Sequence, residues 1–415
     1  MKLLVVTRGL EPSTLDPAAA WVHDMVGGLL GRGHRVTVLC NALDASEHST
    51  PDPKGVDVRR PAPEEFAVAL HQALGNEPDV VHLAAPGALS AANVRALESA
   101  PLLLDLLDWS PLCPATDLLR RPHIERCEQH HPVAPCHDCM GAVRTTAFEP
   151  LMALARAGHH LLARTAYARD RITLALGRGV ALLPVGVDGL HFSTVSAAAQ
   201  AADVAALAVG RVNRRVVLLG PPTPARGGYC ILNLLVALHA RVPGIEFVVA
   251  GTDPDDADAM AILRAEAREL GLASQLRLIP RVSRFDMPAL LAACDVGLAL
   301  GPAPDPVGLP IVQALAVGLP VVAEPVGGAA ELLLHGEAGV LVGSEPVGPF
   351  ADQVAELLAD ADRRRAYRER GRLKALECHD LERSLYDIEA FYQRVRIPRA
   401  RRVLGASEPP WRLAA

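Results

Sequence analysis

The stretch that most constrains this chain is residues 301–342, in which glycine-bounded helical segments alternate with short apolar strands. It reads GPAPDPVGLPIVQALAVGLPVVAEPVGGAAELLLHGEAGVLV. The apolar spacing of Leu309–Val317 predicts a helix that Gly318-Leu319-Pro320 ends, and Val321–Ala323 predicts a buried strand. The stretch therefore predicts consecutive βα units of an α/β protein.

Several positions beside these elements are suited to a ligand. Gly308 lets the backbone turn close beneath one, and Gly327-Gly328 opens a second helix whose unpaired N–H groups suit an anion. Glu331 lies in the first turn of that helix, where it either orients the turn or acts as a capping acid. The candidate binding positions that these features indicate are Gly308, Gly327, Gly328 and Glu331.

This stretch resembles the donor-binding signature of the retaining GT-B glycosyltransferases of family 4, the glycosyl transferases group 1. The family pattern is roughly E-x-F-G-x-x-x-x-E-A-x-A-x-G-x-P-V-V-A, followed by G-G-x-x-E. The spacing is kept here, although Asp305 and Gln313 stand where the family has two glutamates. An ordinary βα unit is the alternative, and the agreement of spacing, glycines and strand disfavours it.

The resemblance covers nearly the whole chain and implies an α/β GT-B fold, with two Rossmann-like domains facing each other across a cleft. The length of 415 residues suits two or three domains. We expect a first domain at residues 1–192, a linker at 193–213 and a second, nucleotide-sugar domain at 214–380. A helix at 381–398 is expected to cross back to the first domain, before a tail at 399–415.

Composition excludes some classes of protein. No run of eighteen apolar residues is present, which argues against a membrane span, and the apolar core of MKLLVVTRGL is too short for a signal peptide. The net charge of −6, from 41 basic and 47 acidic residues, does not indicate nucleic-acid binding. We therefore expect a cytoplasmic protein.

A loop in the second domain supplies further candidates. After the predicted strand that ends near Gly220, the chain runs through Pro221 to Arg226 and Gly227. The family has G-R-x-x-x-x-K-G here, and both of its cations hold the donor diphosphate. Here Pro221 replaces the arginine, while Arg226 replaces the lysine and can still pair with phosphate. The resemblance therefore assigns Gly220, Arg226 and Gly227 to donor binding.

The first domain offers one candidate for catalysis. The segment from Asp108 to Pro114 resembles an H-D-x-W-x-x-C-P pattern in a subset of these enzymes, but Leu107 stands where that subset has histidine. Asp108 follows a predicted parallel strand, at the edge where α/β proteins bind ligands. It is either a catalytic or acceptor contact or the cap of a loop.

Four cysteines follow: Cys113, Cys127, Cys136 and Cys139. Cys136 and Cys139 form a C-x-x-C motif, and four thiolates at these spacings favour a closed, tetrahedral structural zinc site. An iron–sulfur cluster or simple unligated thiols are the alternatives. A disulfide is disfavoured in the cytosol.

The resemblance implies transfer of a sugar from a nucleotide-sugar donor to a small-molecule or glycan acceptor, with retention at the anomeric carbon and no metal cofactor. Asp305, the second catalytic candidate, would lie near the sugar and also bind the donor. Gln313 would lie near the ribose and Arg226 on the diphosphate. Four departures from the family pattern leave an alternative open. They are Asp16-Pro17 in place of a glycine pair, Leu107 in place of histidine, Pro221 in place of arginine and Gln313 in place of glutamate. The alternative is a catalytically impaired GT-B homologue that acts as partner or regulator of another glycosyltransferase. A third hypothesis is a cysteine-cluster protein in which the metal does redox work. The protein partner would be a second copy of the chain, in a homodimer, or another glycosyltransferase.

Overall fold

The structure is a computed structural model. It describes residues 1–10, 17–41, 52–85, 89–120, 125–127, 136, 139, 148–157, 159–193, 214–252, 257–280, 282–343 and 347–396. The predicted linker and tail therefore lie almost wholly outside the described residues, as do Asp16 and the histidines among the four cysteines.

The first part of the chain alternates strands and helices. Its strands are β1 (Lys2–Thr7), β2 (Arg35–Cys40), β3 (Asp57–Arg59), β4 (Val80–Ala84), β5 (Leu102–Asp105), β6 (Leu119–Arg120), β7 (Glu125–Arg126), β8 (His160–Ala163) and β9 (Ala181–Leu182). Its helices are α1 (Pro17–Gly31), α2 (Phe66–Gly75), α3 (Ala91–Leu97), α4 (Phe148–Arg156) and α5 (Ala166–Leu176).

The second part repeats the alternation. Its strands are β10 (Arg215–Leu218), β11 (Glu246–Thr252), β12 (Leu276–Pro280), β13 (Val296–Ala299), β14 (Val321–Ala323) and β15 (Val340–Leu341). Its helices are α6 (Ile231–Arg241), α7 (Ala257–Glu269), α8 (Met287–Ala292), α9 (Leu309–Val317), α10 (Ala329–Leu332), α11 (Val347–Ala359) and α12 (Ala361–Cys378), and α13 (Leu381–Arg396) follows.

Each part forms one parallel sheet. The first sheet has the order β3-β2-β1-β4-β5-β8-β9, and the second has β12-β11-β10-β13-β14-β15. In both, the first strand of the part lies inside the sheet and the order reverses beside it, as in a Rossmann fold. Strand β4 is buried throughout, because helices cover both faces of a parallel sheet.

Helix α13 returns to the first domain after the second is complete. Its apolar positions Leu385, Ile388 and Tyr392 are fully buried, and the helix packs against α1, β4 and β5. Each such side chain contributes about 1.5–3 kcal/mol through burial. A Cβ on Gly28 of α1 would lie 2.3 Å from a methyl carbon of Leu385, so the two helices meet where α1 has no side chain.

The junction that starts α13 is fixed by the segment PVGVD at residues 184–188. Val187 and the chain around Asp380 form a parallel bridge, with the N–H of Val187 donating to the carbonyl of His379 at 2.7 Å. A Cβ on Gly186 would lie 2.5 Å from the Cα of Leu381. The close backbone approach explains why glycine stands in the middle of this segment.

A buried polar network ties α13 to the first sheet. The ring of His82 lies 2.7 Å from the hydroxyl of Tyr392 through Nδ1 and 3.2 Å from Asp105 through Nε2. Asp105 also forms a two-pronged ion pair with Arg164, whose guanidinium lies 4.8 Å from the ring of Trp21. Arg164 and His82 hold the pKa of Asp105 down at about 2, against the opposing effect of burial.

One predicted element is shorter than expected. The helix opened by Gly327-Gly328 is the single turn Ala329–Leu332. His335 has a positive φ of 52°, which is not compatible with a right-handed helix, and it lies between that turn and the following chain. Within the described ranges, no helix combines the length and the apolar character needed to cross a bilayer.

Candidate functional site

A cleft runs along the carboxyl ends of the strands of the second sheet, where α/β proteins bind ligands. Two adjoining cavities form it, and both are lined by Pro17 of α1 together with Leu219, Gly220 and Pro310 of the second domain. The cavity that also contacts Gln313 has a volume of about 580 Å³, and we refer to it as the Gln313 cavity. The cavity that contacts Arg226 has about 500 Å³ and is the Arg226 cavity.

The Gln313 cavity has mainly apolar walls, formed by Val217, Leu218, Ala250, Val282, Met287, Leu290, Leu291 and Leu309. Its polar side chains are Gln313, from α9, and Arg284. The guanidinium of Arg284 lies 2.5 Å from a carboxylate oxygen of Asp24 on α1, so its charge is compensated from the first domain. Such a cavity suits a flat, uncharged ring with a few hydrogen-bonding groups.

The Arg226 cavity carries the charged groups. Its lining includes Arg226, Asp305 and Glu324. Nη1 of Arg226 lies 3.2 Å from Oδ2 of Asp305, and the two side chains are 27% and 19% exposed. The cation is therefore reachable from the cleft, although a carboxylate of the same chain already pairs with it.

The backbone of the Arg226 loop explains the glycines predicted there. Gly220 has a φ of 94° and Gly227 one of 84°, which is the left-handed region that glycine adopts without strain. A Cβ on Gly227 would lie 2.7 Å from the Cβ of Leu300, so the loop packs directly on the chain after β13. Pro221 lines the Arg226 cavity without an N–H or a charge.

Asp305 is held on both oxygens. Oδ1 accepts from the N–H of Val307 at 2.9 Å, and Oδ2 faces Arg226. Gly308 follows with a φ of 72° and is the residue before α9. The structure thus brings Asp305, Arg226 and Gln313 to the same cleft.

Gly327 and Gly328 lie in a tightly packed turn. A Cβ on Gly327 would be 2.7 Å from the backbone nitrogen of Asp305, and one on Gly328 would be 2.7 Å from Cγ2 of Thr165. The turn therefore packs against the Asp305 loop and the first domain, while its neighbours Val326 and Ala329 line the Arg226 cavity. Presentation of N–H groups to a ligand stays a prediction.

Glu331 contacts the other domain. Both of its carboxylate oxygens lie 2.9 Å from the N–H of Ala166, at the first turn of α5. Burial raises the pKa of Glu331, and the hydrogen bond from Ala166 partly opposes this. Glu331 thus caps the N-terminus of a helix of the first domain, α5, although Glu331 itself belongs to the second domain.

Glu324 is a candidate that the sequence reasoning missed. Its side chain is 6% exposed, lines the Arg226 cavity and accepts from the N–H of Gly301 at 3.0 Å. It directly follows β14, and an acidic residue at the carboxyl end of a parallel strand is a signal that would have identified it.

Asp108 caps its own loop. Its Oδ1 accepts from the N–H of Ser110 at 2.9 Å, and it lines neither cavity. Its neighbour Trp109 crosses to the second domain, where the indole Nε1 donates to the carbonyl of Pro304 at 2.8 Å. The hydroxyl of Thr165 likewise donates to the carbonyl of Pro306 at 3.2 Å.

The four cysteines lie near one another. The thiols of Cys113, Cys127 and Cys139 add to burial in raising the pKa of Cys136 to about 11. Burial also raises the pKa of Cys113, although the backbone N–H of Leu118 opposes this. Within the described part of the chain, no three cysteine, histidine or acidic side chains are grouped closely enough to hold a metal ion. The zinc site stays a prediction.

Sequence comparison gives a family match within the second domain. Residues 230–374 match the family model of the glycosyl transferases group 1. The matched segment begins just after the Arg226 loop and includes Asp305, Gln313 and Glu331, so it contains most of the cleft described above.

Two curated proteins of Mycobacterium tuberculosis are similar in sequence to this chain. The GDP-mannose-dependent alpha-(1-6)-phosphatidylinositol monomannoside mannosyltransferase of Mycobacterium tuberculosis is 33% identical over 213 residues, which is 48% of this chain and 52% of that protein. The chain thus spans about half the length of this relative. Glycogen synthase of Mycobacterium tuberculosis is 25% identical over 394 residues, 90% of each chain.

Solved structures share the whole architecture. HepE of Anabaena, crystallised with UDP and glucose, has a TM-score of 0.70 at 20% identity, over 95% of this chain and 99% of its own. WaaG, a glycosyltransferase involved in lipopolysaccharide biosynthesis, has a TM-score of 0.68 at 14% identity, over 94% and 99%. The fold is GT-B, with two Rossmann-like domains facing each other across a cleft, and the predicted fold class is confirmed.

Proposed function

We propose that this protein transfers a sugar from a nucleotide-sugar donor to an acceptor, with retention of the anomeric configuration. The observation that carries the proposal is the two-part cleft, in which an apolar cavity adjoins one that contains a reachable arginine. The first suits the base and ribose of a nucleotide, and the second suits its diphosphate and sugar.

Each described side chain then has a role. Gln313 hydrogen-bonds the ribose, Arg226 pairs with the diphosphate, and Asp305 lies beside it to accept from hydroxyls of the sugar. The charge on the departing diphosphate is stabilised by Arg226, in the place of the two cations of the family pattern. Retention is taken from the resemblance and would be tested by the anomeric configuration of the product.

Titration calorimetry against UDP, GDP, ADP and dTDP tests the proposal. GDP and UDP lead the panel because the mannosyltransferase relative is GDP-mannose-dependent and HepE was crystallised with UDP. We expect one nucleoside diphosphate to bind, and Arg226→Ala to weaken it by about 1.5–3 kcal/mol, roughly 10- to 150-fold, because a charge-assisted contact is lost.

The matched control is Arg370→Ala, since Arg370 is an exposed arginine that pairs with Glu337 on the surface. The Arg370→Ala variant is expected to bind the nucleoside diphosphate with the affinity of the wild type. The sugar nucleotide of the bound base would then be assayed for hydrolysis and transfer. Binding without any turnover would instead support the catalytically impaired homologue. If no nucleotide binds, the roles of Gln313 and Arg226 in donor binding are contradicted.

A further inference from the structure

The loop that carries Asp305 is held from the opposite domain. Trp109 and Thr165 both belong to the first domain, and their donors reach the carbonyls of Pro304 and Pro306 at 2.8 and 3.2 Å. These two carbonyls belong to the residues on either side of Asp305. The first domain therefore fixes the peptide groups that set the direction of the Asp305 side chain.

Both contacts are buried and well supported. The side chain of Trp109 is 1% exposed, and its ring packs edge-on against Tyr167 at a centroid distance of 6.1 Å. Thr165 is 2% exposed, and its hydroxyl also accepts from the N–H of Ala168 at the start of α5. A buried carbonyl that lost either donor would be left unpaired, which costs free energy.

The second domain alone leaves this loop incompletely held. Within its own domain, Asp305 contacts Arg226 and the N–H of Val307, and Gly327 packs against its backbone. Arg226 is the group that a bound diphosphate would draw away. When that happens, the contacts from Trp109 and Thr165 do not change, because they act on the backbone.

We propose that Trp109 and Thr165 are positioning residues that place Asp305 against the transferred sugar when the two domains close. The inference rests on the proposed function, because it concerns the sugar end of the same donor site. Closing the cleft completes the hydrogen bonds around Asp305, and an open cleft leaves the loop without them. Asp305 is then oriented for the sugar only in the closed enzyme.

The test compares Trp109→Phe and Thr165→Val, each of which removes the hydrogen-bond donor. Valine keeps the shape of threonine, whereas phenylalanine is smaller than tryptophan, a loss of volume that the control below shares. We expect each to lower the kcat for the sugar nucleotide at least tenfold, while the Kd for the nucleoside diphosphate stays within about twofold of the wild type. The diphosphate is held by Arg226, which neither substitution touches. Thr165→Ser keeps the hydroxyl and should restore kcat.

Trp21→Phe is the matched control. Trp21 is as buried as Trp109, but its indole nitrogen has no hydrogen-bond partner among the residues that the structure describes. A kcat in Trp109→Phe equal to that in Trp21→Phe would overturn the inference. An equal loss of diphosphate affinity and of turnover in Trp109→Phe and Thr165→Val would also overturn it, since that would indicate a general loss of structure.

The two levels of the proposal fail differently. A wild-type protein that binds no nucleotide contradicts the proposed function and this inference with it. Turnover that is normal in Trp109→Phe and Thr165→Val contradicts the inference alone. If the wild type binds without turnover, the ratio of Kd for the sugar nucleotide to Kd for the diphosphate replaces kcat, and an unchanged ratio in both variants overturns the inference.

Discussion

Arg226 and Asp305 neutralise each other in the unliganded cleft. They are 3.2 Å apart and both are partly exposed, so the pair itself contributes at most about 1 kcal/mol to stability. Its consequence for binding is larger, because Arg226 lines its cavity together with two carboxylates, Asp305 and Glu324. A diphosphate has to compete with Asp305 for Arg226.

Removal of that competitor should tighten diphosphate binding. We expect Asp305→Asn to lower the Kd for the nucleoside diphosphate by about 1.4- to 5-fold, the equivalent of an exposed ion pair of about 0.2–1 kcal/mol. The amide oxygen can still accept from Val307, so the loop keeps its shape. Calorimetry with the bound nucleotide measures the change.

Asp352→Asn is the control for this substitution, because Asp352 forms a comparable pair with Arg241 on the surface of the second domain. Its Kd should match the wild type. An unchanged or higher Kd in Asp305→Asn would show that the Arg226 pair does not oppose the diphosphate.

Single residues of the cleft were predictable only where local backbone and spacing determine them. Gly220, Gly227 and Gly308 adopt positive φ, and each could be located from the sequence. Contacts between the domains could not, because residues 141 positions apart, such as Thr165 and Pro306, are brought together by the fold alone. The opposite-domain contact of Glu331 escaped prediction for the same reason.

At the scale of elements, the segment with the four cysteines is built around a small antiparallel ribbon, β6 with β7. The N–H of Cys127, just after the ribbon, donates to the carbonyl of Leu118 at 2.7 Å, and the thiol of Cys139 lies 3.7 Å from the carbonyl of Leu119. Both contacts lie where β6 begins, so Cys127 and Cys139 are at the end of the ribbon that Cys113 precedes.

The purified protein is predicted to contain one zinc ion per chain, held by these four thiolates. A tetrahedral site of four cysteines stabilises a short segment that has little core of its own. Elemental analysis after gel filtration would measure the metal, and Cys136→Ser should lose it. Cys378→Ser, which changes a half-buried cysteine elsewhere, should keep it.

Other outcomes separate the alternatives for the cysteines. A coloured preparation that contains iron would indicate an iron–sulfur cluster instead. A wild-type protein that carries no metal would contradict the zinc prediction and leave four free thiols.

Long elements followed from the sequence more closely than short ones. The predicted helix at 381–398 agrees with α13, Leu381–Arg396, to within two residues, because buried positions repeat at helical spacing. The single turn Ala329–Leu332 was predicted as a longer helix, since Gly327-Gly328 marks only where a helix starts. Its end depends on His335, whose positive φ no local pattern indicated.

At the scale of the whole molecule, the two domains contact each other on several sides of the cleft. Arg284 forms an ion pair with Asp24, and Glu331 accepts a hydrogen bond from the N–H of Ala166. Val187 and Asp380 form a parallel β-bridge. The last of these contacts includes a buried histidine, His379, whose Nδ1 lies 2.9 Å from the carbonyl of Val185.

His379 makes this junction sensitive to acid. Burial lowers its pKa from 6.5 to about 4, so the folded protein keeps the ring neutral while the unfolded chain becomes protonated below pH 6.5. The free energy of unfolding should therefore fall as the pH drops from 6.5 to 4, by the order of 3 kcal/mol, and change no further below the folded pKa through this group.

Thermal melts between pH 4 and 7 would test this effect. His379→Asn keeps an N–H donor for Val185 and does not titrate, so its melting temperature should fall less than that of the wild type over this range. His71→Asn replaces an exposed histidine that contacts the carbonyl of Ala67, and it should follow the wild-type curve. Parallel curves for all three proteins would rule out His379 as the acid-sensitive group.

The position of α13 also decides the order in which the domains can be completed as the chain leaves the ribosome. Proteins of several domains generally fold from the N-terminus during synthesis. Here the second sheet, with its last strand at Val340–Leu341, needs only sequence that precedes residue 381. The first sheet needs Leu385, Ile388 and Tyr392 to cover it. The domain that is translated first is therefore the last to be finished.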